Sequence, residues 1–171
     1  QAGDAVTTAS GITCIGNGAG TAITTGSTNT AVGSQTLDVC TTGSGNTAMG
    51  NDAGGAITTG TYNNFFGNSA GVATTTASHV LGIGASALVA NTTGTQNVAV
   101  GNYSLDACTT GNYNTALGVN AGGALTTGTN TVFIGTNAGV SQTTGYNNVI
   151  VGYNAGDSVT TGHTNVIIGQ N

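Results

Sequence analysis

Thr92-Thr93-Gly94-Thr95-Gln96-Asn97-Val98-Ala99-Val100-Gly101-Asn102-Tyr103-Ser104-Leu105-Asp106-Ala107-Cys108 runs straight into Thr109-Thr110-Gly111 and a second copy of the same pattern. The Thr-Thr pair recurs every 17 residues, ten times without a slip, at Thr7, Thr24, Thr41, Thr58, Thr75, Thr92, Thr109, Thr126, Thr143 and Thr160. Nine residues after each pair begins stands a glycine: Gly16, Gly33, Gly50, Gly67, Gly84, Gly101, Gly118, Gly135, Gly152 and Gly169. A fixed period of this kind means one structural unit stacked on copies of itself.

Numbering each unit from its first threonine, position 6 is Asn in seven copies, among them Asn29, Asn97 and Asn165. Position 9 is always apolar: Ile15, Val32, Met49, Phe66, Ile83, Val100, Leu117, Ile134, Val151, Ile168. Position 13 is mostly Ala, position 14 Gly or Leu, and position 17 mostly apolar, as in Ile23, Cys40 and Leu125. Two short strands fit this pattern, one over positions 6 to 9 (Asn97-Val98-Ala99-Val100) and one over positions 16 to 2 (Ala124-Leu125-Thr126-Thr127). Both are rich in Val, Ile and Thr and bounded by Gly. Strands of this length joined by Gly corners predict an all-β chain, a parallel β-solenoid of about ten 17-residue coils, with residues 1–171 as a single repeat domain. Helical repeats need longer units, and Gly and Thr at this density oppose helix. At about 4.8 Å per rung, ten coils make a rod about 48 Å long.

Side chains alternate along a strand, so positions 7 and 9 share one face and position 8 takes the other. The large, always apolar position 9 is expected to fill the coil. Position 8 then points outward as an apolar stripe: Ala31, Ala48, Phe65, Ala99, Ala116, Phe133, Ile150 and Ile167, with Cys14 and Gly82 in the same row. An uncovered apolar stripe of full rod length exceeds what monomers usually tolerate, so another chain is expected to cover it. The aligned Asn residues are expected to bond along a ladder.

Composition excludes several classes of function. The 171 residues contain no Lys, Arg, Pro or Trp, only 3% charged residues, and a net charge of −5. Phosphate contacts need Lys or Arg, so nucleic-acid binding is not expected, nor is attraction to an anionic membrane. No apolar run approaches the roughly 20 residues of a spanning helix. No signal peptide is visible, and Gln1 is not a natural start; a mature or excised piece of a larger protein is expected.

No set of residues looks built for catalysis. His79 and His163 sit in turns of distant coils, and four of the five Asp (Asp4, Asp38, Asp106, Asp157) share position 15 in non-adjacent coils, leaving Asp52 apart. Calcium-binding β-roll repeats carry an Asp in nearly every unit, so neither metal nor cofactor is expected. Cys40 and Cys108 lie four coils apart, about 19 Å, beyond disulfide reach. They read with Cys14 as small apolar residues. Gly16-Asn17-Gly18-Ala19-Gly20 lacks the strand-then-helix context of a phosphate loop. Asn91-Thr92-Thr93 and Asn102-Tyr103-Ser104 match the glycosylation pattern.

Asn29-Thr30-Ala31-Val32-Gly33, Asn97-Val98-Ala99-Val100-Gly101 and Asn165-Val166-Ile167-Ile168-Gly169, with the following Gly118-Val119-Asn120-Ala121 type of segment, resemble the head repeats of trimeric autotransporter adhesins. With Thr-Thr-Gly connectors, they are also similar to repeats of bacteriophage tail fibres. The resemblance covers essentially the whole chain. It implies a left-handed parallel β-roll, three chains side by side, on a cell exterior or virion surface. The coil is longer than the usual adhesin-head coil, and no heptad stalk or membrane anchor accompanies it.

Three functions compete. The first is a non-enzymatic structural or adhesive rod, self-associating and meeting a cell-surface glycan or receptor; Tyr62, Tyr113, Tyr146 and Tyr153 either stack on sugars or cover turns. The second is ice binding through a threonine ladder such as Thr24, Thr41, Thr58, Thr92, Thr109 and Thr126. The third is a filament built by end-to-end stacking of uncapped coils.

Overall fold

The computed structural model describes all of residues 1–171. It is an all-β parallel β-solenoid of about nine turns, without a helix. Each coil contributes one three-residue strand: β1 Thr13–Ile15, β2 Thr30–Val32, β3 Thr47–Met49, β4 Asn64–Phe66, β5 Leu81–Ile83, β6 Val98–Val100, β7 Thr115–Leu117, β8 Val132–Ile134, β9 Val149–Val151 and β10 Val166–Ile168. They form one sheet in chain order, every neighbour parallel and offset by one repeat, so that Ala31 pairs with Ala48 and Ala48 with Phe65.

The strand is short because left-handed residues bound it. Position 5 has positive φ in every coil, including Thr28 (58°), Tyr62 (57°) and Asn130 (56°), and so has the position-10 glycine, at 139° in Gly33. A Cβ on Gly33 would collide with the carbonyl of Gly50 in the next coil, so only glycine lets successive corners nest. Two more left-handed residues, at positions 12 and 14, turn the chain back.

The expected second strand does not form; Ala124–Thr127 and its equivalents are turns and bends. A ladder needs N–H and C=O groups alternating along the strand. Here the N–H groups of Thr24, Thr25 and Gly26 all converge on the carbonyl oxygen of Thr41, at 3.0, 3.3 and 3.4 Å. The Thr24 hydroxyl donates to the same oxygen at 3.1 Å. That fan of donors curls the segment and gives the first threonine a structural role.

The strand faces are reversed from the expectation. Ala31, Ala48, Phe65, Ala99, Ala116, Phe133 and Ile150 are fully buried inside the coil, and Ile167 packs half-buried against the same core. Position 9 points away from it: Ile15, Met49, Ile83, Leu117, Ile134 and Ile168 are exposed. The coil is too narrow for a large side chain from every wall. Positions 13, 14 and 17 on the opposite wall also point inward, with Ala53, Leu37, Ile57 and Leu125 buried there. Where position 8 is Phe, the facing residue is Gly: Phe65 occupies the space beside Gly71, and Phe133 that beside Gly139. Where position 14 is Leu37, Leu88 or Leu105, position 8 of the same coil is small: Ala31, Gly82 or Ala99. In the coils of Ala48 with Gly54 and Ala116 with Gly122 both are small, and the space is met by Leu37 and Phe65, or Leu105 and Phe133, of the adjoining coils. This filling repeats after four coils: Leu37, Cys40 and Phe65 recur as Leu105, Cys108 and Phe133, each 68 residues on.

Asn at position 6 is the polar spine. The Asn97 amide donates to the carbonyl of Gly111 at 2.7 Å, and its oxygen accepts the Asn114 N–H at 2.9 Å. Asn114 repeats this with Gly128 (2.8 Å) and Thr131 (3.1 Å). The ladder therefore runs mainly from side chain to backbone, with direct amide–amide bonds at Asn46–Asn29 and Asn165–Asn148. Val80 and Thr131 interrupt it.

Candidate functional site

Reversal of the strand leaves positions 7 and 9 outward. Together they make a double row along the whole sheet, with apolar side chains at every position 9 and, from β5 on, at every position 7 but Thr115. No carboxylate stands anywhere between positions 1 and 9 of a coil. The first four position-7 residues are polar (Thr13, Thr30, Thr47, Asn64), whereas Leu81, Val98, Val132, Val149 and Val166 are apolar. The face is therefore greasier toward β10. Ala31, Ala48, Phe65, Ala99, Ala116, Phe133, Ile150 and Ile167 do not line it, because all of them belong to the coil interior.

The threonine rows divide by function. Thr24, Thr41, Thr58, Thr92, Thr109 and Thr126 each donate their hydroxyl to the carbonyl of the first threonine one coil on, at 3.0–3.4 Å. The row exposed throughout is the second one: Thr25, Thr42, Thr59, Thr93, Thr110 and Thr127.

The corner at positions 4 and 5 gathers aromatic rings. His79 stacks on Tyr62 with ring centres 5.3 Å apart and planes 16° apart; His163 stacks on Tyr146 at 4.7 Å and 8°. Tyr113 stands exposed in the same column as Tyr62 and His79, while Tyr103 and Tyr153 are exposed on the opposite corner. Both stacks were readable in the sequence by wrapping it at 17, which sets Tyr62 beside His79 and Tyr146 beside His163.

The titratable groups do not converge. No three His, Cys or Asp side chains lie close enough to share a metal ion. Burial pushes the Asp38 and Asp106 carboxyls up from their ordinary value. It pushes the Cys40 and Cys108 thiols up to about 11, so these buried sulfurs stay protonated and unreactive. All three cysteines are free. Of the two sequons, Asn91 is buried, its amide donating to Gly94, while Asn102 is exposed. A cavity of about 170 Å³ beyond β10, between Ala155, Gly156 and Ile167, is the open mouth of the last coil.

Comparison with protein families, curated proteins and solved structures found no match to this chain.

Proposed function

We propose that the chain is a non-enzymatic structural and adhesive rod of a cell exterior or virion surface, assembled side by side with its own copies through the strand face, as a homotrimer of left-handed β-rolls. The double apolar row at positions 7 and 9 carries this reading. Ten rungs of about 4.8 Å by three residues of about 3.3 Å give a face on the order of 500 Å². That matches the largest apolar patch of a typical monomer, and such patches are often functional. Three such faces on one axis would bury on the order of 1,500 Å² over the whole trimer, on the order of 500 Å² for each pair of chains, which is small for a specific interface and makes the assembly depend on all three contacts closing together. Absence of charge from the face lets identical copies meet without repulsion. The polar-to-apolar gradient favours parallel copies: antiparallel pairing would set Thr30 and Thr47 against Val149 and Val132.

Light scattering tests the assembly, with an expected mass three times the 16.3 kDa chain. Oxidative cross-linking of a Val166→Cys variant tests the orientation. Residue 166 is among the most exposed of the face, and parallel copies bring it near itself. A monomer at micromolar concentration refutes the assembly. Cross-links that form only when Val166→Cys is mixed with Thr13→Cys refute the parallel arrangement. A second reading, ice binding, is favoured by the exposed second-threonine row rather than the bonded first one; thermal hysteresis tests it.

A further inference from the structure

We propose that the corner carrying Tyr62, His79 and Tyr113 is a binding track for an extended neutral glycan. The proposal rests on the adhesive reading above and names the ligand class and the residues.

The first observation is conformational. Tyr62, His79 and Tyr113 sit at φ 57°, 60° and 60°, a left-handed region that bulky side chains rarely adopt. Gly45, Asn130 and Asn147 occupy the same position in other coils and suit it. Thr28, Gln96 and Thr164 hold the same conformation, so the left-handed turn belongs to the repeat; what sets this stretch apart is that the turn lifts three exposed rings, Tyr62, His79 and Tyr113, along one column. Ring stacking accounts for Tyr62 and His79 but not for Tyr113, whose column neighbours are Gln96 and Asn130.

The second observation is chemical. Beside the rings runs a column of neutral hydrogen-bonding groups, in which Thr61 donates to Ser78 at 3.1 Å and Thr95 to Asn112 at 3.0 Å. Sugars offer apolar C–H faces and hydroxyl groups together, and tyrosine offers an apolar body with a polar tip. Carboxylates are confined to positions 12 and 15, and no Lys or Arg exists to pair with an anionic sugar. The track therefore fits a neutral polymer. Its rungs, about 4.8 Å apart, advance at about the length of one pyranose in an extended chain, which sets Tyr62 and Tyr113 three sugars apart.

The test is electrophoresis of the 171-residue chain through native gels containing a soluble β-glucan, a mannan or a galactan, with alginate as the anionic control. The variant is Tyr62→Asn with Tyr113→Asn, since Asn suits the left-handed backbone. Retardation by at least one neutral polymer and not by alginate is expected. The variant is expected to weaken it at least tenfold while its melting temperature holds or rises. No retardation by any neutral polymer, retardation that the variant keeps, or a fall in melting temperature that explains the loss would each overturn the proposal. Light scattering on the same samples separates the two readings: a monomer that is retarded leaves the track standing and removes the assembly, and an oligomer that is not retarded removes the track alone.

Discussion

Phe65 and Phe66 are adjacent in β4 and face opposite ways, so one substitution made twice tests the inside-out assignment of the strand. Phe65 is fully buried, and its ring fills the space that Gly54, Gly71 and Gly82 leave open; a Cβ on Gly82 would come 2.9 Å from its Cδ1. Phe65→Ala leaves that space empty, because glycines have no side chain with which to collapse into it. A buried Phe→Ala change costs about 3–5 kcal/mol. For a chain of this size that lowers the melting temperature by about 6–20 °C. Phe66 lies on the outward face, half-exposed, and Phe66→Ala is expected to cost less than about 1 kcal/mol in the isolated chain. Thermal and urea unfolding followed by circular dichroism at two protein concentrations measures both. The Phe65 loss is expected to be the same at both concentrations; any Phe66 loss grows where the oligomer is populated, because it acts through association. Equal losses, or a larger loss at Phe66 in dilute solution, would refute the assignment of position 8 to the interior.

Other outcomes follow from the same geometry. Asn46→Ala removes the partner of the Gly60 carbonyl (2.9 Å) and of the Asn63 N–H (3.0 Å); each orphaned group costs about 1–3 kcal/mol, and hydrogen exchange at Asn63 is expected to quicken. Gly33→Ala forces a Cβ onto the Gly50 carbonyl at φ 139°, a strain of about 1–3 kcal/mol before the clash is counted, read as a drop in urea midpoint. The pH dependence has an unusual sign. The Asp38 and Asp106 pKa values are raised in the folded chain, so folding favours their neutral forms. Their contribution is fully present below the unfolded carboxylate pKa of about 3.9 and is lost as pH rises through the raised folded values. The melting temperature is expected to rise, not fall, as pH drops from 7 toward 4, and Asp38→Asn with Asp106→Asn is expected to flatten that slope.

The period carried the architecture. Thr-Thr and Gly at fixed phase say that equivalent rungs stack, and a 17-residue advance is enough to fix the parallel register of β1 to β10 without any coordinate. The Asn97 and Asn114 spine was legible for the same reason: a polar residue kept at one phase beside an apolar strand has an inside job. Which face of the strand was inside was not legible from hydrophobicity, because positions 8 and 9 are both apolar. A size relation between distant positions held the answer. Position 8 is always small when position 14 is Leu, as in Ala31 with Leu37, and Phe appears only opposite Gly, as in Phe65 with Gly71; where both are small, as in Ala48 with Gly54, the large residues of the adjoining coils fill the space. Volume is conserved only where two walls share one enclosed space.

What the sequence settled alone was therefore everything that depends on the chain's own order: the repeat, the parallel stacking, the lack of cations and the scatter of its few ionisable groups. Tertiary structure decided what depends on the coil's cross-section. It put Ala99 inside and Val100 outside, turned Ala124–Thr127 into a bend rather than a strand, and used the Thr24 hydroxyl to close the gap to the next coil while leaving Thr25 exposed. Alternation tells which residues share a face, but only the space left by the opposite wall tells which face is the core.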